Sequence, residues 1–327
     1  MLQRWLHLWL LLACLLAYLW PKVTGLAFDP FLRSDPLLTW LISGTMFCVG
    51  CLLPRDEVVQ VGKKWPTVLL GTCVQYGSMP LLAWLAGTLL KLPQDQFIGL
   101  MMVGCVPGAM ASNVITMTAR GNVSYSVGLT TLATIVCPII TPLALYLTLG
   151  KFASAEMLMN ASLSLFREVV IPVVVGFGLC QYFPRFGEAT RTPATVIANL
   201  TIVWIIAAVV AKSRSEFSSL SSTLLLALVL VNGLGYAAGY WGGKAIGLDD
   251  AMRRALAIEV GMQNAGLGAK IAGDLFPGTK GTGIPCVLFA FLCVFSATLL
   301  ARWFSSRPLS DERNDGASIN PIPSQEP

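Results

Sequence analysis

The sequence predicts an all-α polytopic membrane protein that crosses the bilayer ten times. Hydrophobic residues make up 55% of the 327 residues, charged residues make up 12%, and the mean hydropathy is +0.70. These values lie outside the range of soluble globular domains. Apolar stretches of about 20 residues, the length of a membrane-spanning helix, follow one another with short connections. The predicted spans are Trp5–Trp20, Pro36–Leu53, Pro66–Leu90, Phe97–Ala119, Val123–Leu149, Leu163–Phe183, Pro193–Ala211, Leu220–Ile246, Ala251–Leu275 and Gly283–Phe304.

The two ends of the chain differ in character. Arg4 and the apolar stretch after it look like a signal peptide, but no small-x-small cleavage site follows Tyr18-Leu19-Trp20-Pro21. We therefore predict a span there. Residues 308–327 carry charges and prolines, which predict a disordered tail. Residues 1–307 form the predicted membrane domain, and an even number of spans places both ends on one side.

Basic residues predict which side that is. They are more frequent on the side of the two termini, so the positive-inside rule places both termini and the tail in the cytoplasm, as in a bacterial inner membrane. No basic cluster alternates with aromatic residues, and no nucleic-acid partner is expected. The basic residues on the terminal side are Arg4, Arg55, Lys63, Lys64, Arg120, Arg185, Arg191, Lys244, Arg253, Arg254, Arg302, Arg307 and Arg313, against Lys22, Arg33, Lys91, Lys151, Lys212, Arg214 and Lys280 across the membrane.

The fourth and ninth predicted spans are both interrupted at corresponding positions. The fourth contains the run from Gly104 to Asn113, with Pro107 and Gly108, and the ninth contains the run from Ile258 to Gly268. Ten spans divide into two halves of five, about 1–150 and 151–307, and an odd number per half inverts the second relative to the first. Paired broken helices in inverted repeats are typical of transporters whose site lies at the bilayer midplane.

Glu259 is the most costly residue of the ninth span. An ionisable group at bilayer depth costs at least about 2.5 kcal/mol on insertion scales, so it normally faces a wet cavity or a bound ion. The alternative is a structural ion pair with Arg253 or Arg254 on the same helix. These arginines belong to the cytoplasmic end of the span, which favours a bound cation as the partner of Glu259.

Two other patterns predict helix packing. Gly235, Gly239, Gly243 and Gly247 recur at every fourth position and allow a neighbouring helix to approach closely. The pair in Cys48-Val49-Gly50-Cys51 has the spacing of a metal or redox motif but lies in an apolar span without a second pair or a nearby histidine. We interpret it as packing too.

Three motifs resemble the bile acid:sodium symporter family in its bacterial ten-helix form. They run from Pro107 to Asn113, from Thr118 to Val127 and from Glu259 to Asn264. The resemblance implies a panel domain of helices 1, 2, 6 and 7 and a core domain of helices 3 to 5 and 8 to 10. It also implies that helices 4 and 9 cross where they unwind.

The resemblance implies two sodium ions, and oxygen ligands of the kind that hard cations prefer are present at each position. Ser126 and Thr130 also lie four apart, on one helical face. The implied ligands of the first ion are Ser112, Asn113, Ser126, Thr130 and Glu259, and those of the second are Gln75, Glu259 and Gln263 with Val260 and Met262, through backbone carbonyls.

The substrate positions depart from the family. Members often read Gly-Gly-Thr-Ala-Ser-Asn on helix 4 and Trp-His-Asn on helix 10, whereas Met110 replaces the threonine here and helix 10 reads Leu292-Cys293-Val294. Asn113 and Asn264 remain at the crossing, where helix N-termini attract a carboxylate. We therefore expect an organic anion, bile-acid-like or a small carboxylate such as pantoate, bound by Asn113, Asn264, Met110, Cys293 and Val294.

Together these features predict a monomeric secondary active symporter, which couples sodium to an organic anion by alternating access. Two alternatives are an efflux permease of the related arsenite-transporter type, for which Cys105 is the candidate thiolate, and a sodium-independent organic anion carrier. A channel is not expected, because a channel does not need two broken helices that carry ligands. An intramembrane enzyme is not expected, since no Ser-Lys or Asp-Asp pair occurs in the spans.

Overall fold

A computed structural model describes residues 6–25, 28–55, 59, 62, 65–152, 154–277, 279 and 281–309. Within these ranges the chain is helical and the only β-type pairing is an isolated antiparallel bridge between Gly108 and Gln263. The all-α prediction is confirmed. The predicted tail from residue 310 onward lies outside the described residues, as do Arg4, Lys63, Lys64, Lys280 and Arg313 of the orientation argument.

The helices follow one another with few residues between them. In the first part of the chain they are α1 (Leu6–Thr24), the short α2 (Pro30–Arg33), α3 (Leu38–Leu52), α4 (Trp65–Leu89), α5 (Gln94–Cys105), α6 (Ala111–Thr118) and α7 (Val123–Leu149). In the second they are α8 (Ala155–Leu165), which continues through a π-helical turn (Phe166–Val170) into α9 (Ile171–Tyr182), then α10 (Pro184–Lys212), α11 (Ser222–Ala245), α12 (Asp250–Gly261), α13 (Ala265–Leu275) and α14 (Ile284–Ser305).

Seven helical segments of the described chain are long and apolar enough to cross a membrane. They correspond to seven of the ten predicted spans. The first predicted span is a shorter apolar helix (Leu8–Thr24), and the fourth and ninth are each divided into two short helices. The protein is therefore a multi-span membrane protein, while ten crossings and the inverted repeat stay predictions.

Two helices begin earlier than the spans predicted for them. The helix of the sixth span begins at Ala155 rather than Leu163, and that of the seventh begins at Pro184 rather than Pro193. Both early turns are less apolar than the spans that follow. Hydropathy finds only the part of a helix that lipid surrounds, and Pro193 is accommodated inside α10.

Many of the helix contacts fall into two groups, which also meet each other where α7 packs against α8. In one, α3 packs against α9 and α10, and α10 packs against α1. In the other, α4 packs against α5, α7 and α11, α11 packs against α12, and α14 packs against α5 and α13. Large apolar side chains such as Ile139, Leu147 and Phe295 lie exposed on the outside, as lipid contact requires.

The two interruptions lie against each other. The Ala109 N–H donates to the Met262 carbonyl at 2.9 Å, and the Asn264 N–H donates to the Pro107 carbonyl at 2.9 Å. Pro107 disfavours a helical conformation at the residue before it, which ends α5. Some backbone groups of each unwound segment therefore form hydrogen bonds with the other unwound segment. Backbone buried at membrane depth must find such partners within the protein.

The packing prediction for the glycines holds at three of the four positions. A Cβ at Gly239 would meet the backbone of Leu256 and Ala257, and Cβ atoms at Gly235 and Gly243 would meet Met79 and Arg253. Gly247 is different, because nothing lies near it and its φ is +78°. It provides the left-handed turn after α11.

Candidate functional site

Glu259 lies at the centre of a fully buried polar site. One carboxylate oxygen accepts a hydrogen bond from the Ser112 hydroxyl at 2.5 Å, and the other accepts one from the Thr130 hydroxyl at 2.7 Å. The donors come from α6 and α7, while Glu259 is on α12. All three side chains are almost completely inaccessible to solvent. Two consecutive helices, α6 and α7, therefore converge with the distant α12 on one carboxylate.

Ser126 and Thr116 extend this site. Ser126 lies one turn before Thr130 on α7, and its carbonyl is 3.0 Å from the Thr130 hydroxyl. The Thr116 hydroxyl lies 3.3 Å from the Ser126 hydroxyl. Both side chains are completely buried. The predicted face of α7 therefore points toward the breaks, and Thr116 adds a hydroxyl that the sequence analysis missed.

Three side-chain amides in this region have buried polar atoms without a hydrogen-bond partner. Neither the Oε1 nor the Nε2 atom of Gln75 is paired, and the Oε1 atom of Gln263 and the Oδ1 atom of Asn113 are also unpaired. A buried polar atom left without a partner costs about 1–3 kcal/mol. Three of these four atoms are oxygens, which is the ligand type that a hard cation takes.

The two backbone carbonyls predicted as sodium ligands already accept hydrogen bonds. The Val260 carbonyl accepts from the Gln263 side-chain amide at 2.7 Å, and the Met262 carbonyl accepts from Ala109. The Met262 carbonyl is occupied by the other break, whereas the Val260 carbonyl is occupied by a side chain of its own break. A carbonyl oxygen has two lone pairs, so each retains one acceptor position.

Gly108 allows the two sides of the site to meet. A Cβ added there would overlap the Glu259 carboxylate and lie 3.3 Å from the Gln75 amide nitrogen. Gln75 on α4, Gly108 in the first break and Glu259 before the second break are thus in immediate contact. Only glycine permits this approach.

The alternative of a structural ion pair for Glu259 is not what the structure shows. Arg254 pairs with Asp250 at 2.9 Å and donates to the carbonyls of Ala119 and Phe304. Arg253 lies over the Tyr240 ring. Within the described part of the chain, no lysine or arginine lies within ion-pair distance of Glu259. Its charge has only hydroxyl partners there.

The residues expected to bind substrate are distributed around the crossing. Asn264 caps α13 through a 3.1 Å hydrogen bond from the Leu267 N–H, and Met110 precedes the first residue of α6. Both are partly exposed, as are Asn113 and Val294. Cys293 is buried and its carbonyl accepts from the Tyr236 hydroxyl at 3.1 Å. The accessible members of this set are therefore Met110, Asn113, Asn264 and Val294.

A second polar network supports the break from α11. The Asn232 amide donates to the Gly261 carbonyl at 2.9 Å, and Ser296 donates to the Asn232 side-chain oxygen at 2.7 Å. Tyr236 and Ser296 are 2.9 Å apart. These residues hold the end of α12 in place. Asn232, a polar residue in an apolar span, was the available signal in the sequence.

Comparison with known proteins finds a matching family and several relatives. Residues 39–220 match the Sodium Bile acid symporter family. The uncharacterised sodium-dependent transporter YocS of Bacillus subtilis is 29% identical over 92% of this chain and 90% of its own length. The probable sodium/metabolite cotransporter BASS1, chloroplastic, of Arabidopsis thaliana is 31% identical over 92% of this chain and 73% of its own length. Its rice counterpart is 30% identical.

The helical bundle with two interrupted helices at a buried polar site is that of a membrane transporter. The chain belongs to the sodium bile acid symporter family, a family of sodium-dependent transporters. The predicted family is confirmed, and so is the prediction of a transporter rather than an enzyme.

Proposed function

We propose that the protein is a sodium-coupled symporter of a small organic anion, with two sodium ions bound at the crossing. The observation that carries this proposal is the environment of Glu259. It is a buried carboxylate with no cationic side chain beside it in the described structure, surrounded by hydroxyl and amide oxygens. A bound cation would balance the charge of Glu259 and take these oxygens as ligands.

The first sodium ion is assigned to the hydroxyl side of Glu259. Ser112 and Thr130 already contact the carboxylate, and the unpaired oxygen of Asn113 follows Ser112 on α6. Ser126 completes the ligand set from α7. On sodium binding, the two hydroxyls would turn their oxygen lone pairs toward the ion instead of donating to Glu259.

The second sodium ion is assigned to the amide side. Gln75 and Gln263 each have an unpaired side-chain oxygen, and Gln75 reaches Gly108 beside Glu259. The Val260 and Met262 carbonyls each have one remaining lone pair. Glu259 would belong to both ions, and its single charge would be shared between them.

Coupling follows from the position of the helix ends. Asn113 lies in the first turn of α6 and Asn264 caps α13, so the partly positive N-termini of two half-helices face the crossing region. We infer that the substrate carboxylate binds there. Sodium would order the breaks on which both asparagines sit, and the linkage between ion and anion must be reciprocal.

Transport itself requires the two sets of helices to move. We propose that α1, α3, α8 to α9 and α10 form the panel and that α4 to α7 and α11 to α14 form the core. Rocking of one against the other would alternate access. We further propose a monomer in a bacterial inner membrane, with both termini cytoplasmic.

The arsenite-permease alternative has a weaker basis. Cys105 is completely buried at the end of α5, and its sulfur lies 3.8 Å from the Thr148 hydroxyl on α7. The structure thus directs this thiol toward α7. Arsenite resistance that depends on Cys105, tested with Cys105→Ser, would favour the alternative.

The test of the proposed function is uptake into proteoliposomes. We expect small 2-oxo or hydroxy acids to accumulate against a gradient when sodium is high outside, and not when potassium replaces sodium. Accumulation that ignores sodium would indicate a sodium-independent carrier. Uptake of taurocholate but of none of the small acids would show that the substrate class is wrong.

A further inference from the structure

A buried ionic cluster lies apart from the sodium site, between α13 and the π-helical turn after α8. The Lys270 ammonium pairs with the Glu168 carboxylate across these two elements and with Asp274 at 2.5 Å on its own helix. The Lys270 and Glu168 side chains are each only 6% exposed. Such a pair between membrane helices is costly to bury, and nothing in the sodium site uses it.

The partners of these charges are distributed in a particular way. Lys270 keeps Asp274, one turn further along α13, as a partner that moves with it. Glu168 keeps Ser164, whose hydroxyl donates to it at 2.7 Å, and Arg167, 3.3 Å away. Separation of α13 from the π-helical turn would break the Glu168–Lys270 pair and leave each charge with a partner on its own element.

The cluster is not suited to hold a charged ligand. The two basic and two acidic side chains of Arg167, Glu168, Lys270 and Asp274 sum to zero charge, and the Lys270 ammonium already contacts Glu168, Asp274 and Ser164. Neither an anion nor a cation is required. The cluster instead contains one ion pair between two elements, and each of its charges has a second partner on its own helical segment.

A cavity beside the pair gives water access when it opens. Its volume is about 220 Å³, and Asn160, Ser164, Glu168, Lys270 and Asp274 contribute polar groups to its wall. Asp274 is 51% exposed, so the cluster already touches the outside at one edge. Separated charges could therefore be hydrated, which lowers the cost of breaking a buried pair.

The π-helical turn places Glu168 in this contact. Residues Phe166–Val170 form the turn, and α8 and α9 continue the helix on either side. A π-helical turn inserts an extra residue and so rotates the face that follows. Glu168 points to α13 while Arg167, at 74% side-chain exposure, points outward.

We propose that Glu168 and Lys270 form a detachable latch between the sixth and ninth predicted spans. The latch closes the side of the crossing opposite Arg254, the predicted periplasmic side, and opens once in each transport cycle. This inference rests on the alternating access of the proposed function, in which the sixth span belongs to the panel and the ninth to the core.

The first test is a crosslink. In Glu168→Cys/Lys270→Cys, a short bis-methanethiosulfonate reagent should join the two elements and lower sodium-driven uptake at least about tenfold, and a reductant should restore it. The control is Ser164→Cys/Glu168→Cys, in which the same reagent joins two positions of one helical segment, so the uptake of this variant should be the same before and after the reagent is added. Full uptake through the crosslinked first variant would overturn the latch.

The second test does not depend on transport. Ala161→Cys, at a buried position on the cavity wall, is labelled with a membrane-impermeant thiol reagent, and the parent protein gives the background of the native cysteines. Glu168→Gln should raise the labelling rate several-fold, about as expected when a buried pair that favours one state is removed. Asp274→Asn, which leaves Glu168 as the only carboxylate partner of Lys270, should not raise it.

Equal labelling with and without Glu168→Gln would overturn the latch. Thermal stabilisation by sodium, measured on the same samples, separates this outcome from failure of the proposed function. A protein that sodium does not stabilise, yet whose labelling responds to Glu168→Gln, retains the latch and loses the sodium site.

Discussion

Ser112 and Glu259 are 147 residues apart in the chain, and their side chains meet at 2.5 Å in the buried centre of the molecule. One stands just after the first helix break and the other just before the second. The contact between these two side chains therefore depends on how the two breaks pack together. Substitutions around it test the sodium assignment.

Glu259→Gln should abolish stabilisation by sodium. The amide has the same shape but no charge, so it can no longer offset a cation. A ligand at 100 times its dissociation constant stabilises a protein by about 2.7 kcal/mol, and most of that gain should disappear. Melting temperatures in sodium and in potassium measure it. Glu188→Gln makes the same change on the exposed surface of α10 and should retain the full sodium effect.

Thr130→Val should weaken sodium binding while the charge of Glu259 stays in place. It removes the hydroxyl that contacts Glu259 and keeps the side-chain volume. The variant lacks one oxygen ligand of the ion, so the apparent sodium affinity should fall by about tenfold or more. Thr134→Val is the matched control, because its hydroxyl bonds to the Thr130 carbonyl alone. An equal loss in both variants would remove Thr130 from the ligand set.

Gln75→Leu should raise the stability of the protein without sodium and reduce the stabilisation that sodium gives. Both polar atoms of the Gln75 amide are buried and unpaired, so without sodium the variant should be more stable by about 1–3 kcal/mol. Adding sodium should raise the stability of the parent protein more than that of the variant. Gln96→Leu is the control, since the Gln96 amide accepts from Ser221 and its loss should only destabilise. Destabilisation by Gln75→Leu in potassium would contradict the assignment.

Gly108→Ala should damage the site through shape alone. The new methyl group would overlap the Glu259 carboxylate, and overpacking of this kind costs about 1–3 kcal/mol. We expect a lower melting temperature and a lost sodium response. At Gly77, where nothing lies within 4 Å, the same substitution should be tolerated. A normal sodium response in Gly108→Ala would show that the crossing is looser than described.

Asn264→Asp tests the anion side. Aspartate keeps the hydrogen bond that caps α13 but brings a negative charge to the crossing. The KM for the anion should rise about tenfold or more, while stabilisation by sodium alone persists. Asn122→Asp changes another helix cap, at the start of α7, and should leave KM unchanged. An unchanged KM in Asn264→Asp would place the substrate elsewhere.

Much of the site was predictable because lipid makes polar residues conspicuous. Glu259, Gln75 and the two breaks stand out in apolar spans, and the structure has both breaks where the sequence predicts them. The missed residues have weaker signals. Thr116 and Ser296 satisfy themselves within a helix as easily as across helices, so their type alone does not reveal a role.

Lys270 and Glu168 show why the rest could not be predicted. Each is a charge in a separate span, and charges near span ends often extend to the interface, so neither alone indicates a buried pair. The pairing depends on a π-helical turn, and a single extra residue in a helix leaves no hydropathy signal.

The sequence alone determined the membrane class, the positions of both breaks and the polar residue types around Glu259, because these follow from the cost of polar groups in lipid. The tertiary structure alone decided which groups meet. Ser112 and Thr130 reach Glu259, the two breaks occupy each other's backbone groups, and Arg254 turns away to Asp250. Contacts between helices this far apart depend on how the helices pack, and hydropathy, which reads one segment at a time, does not contain that information.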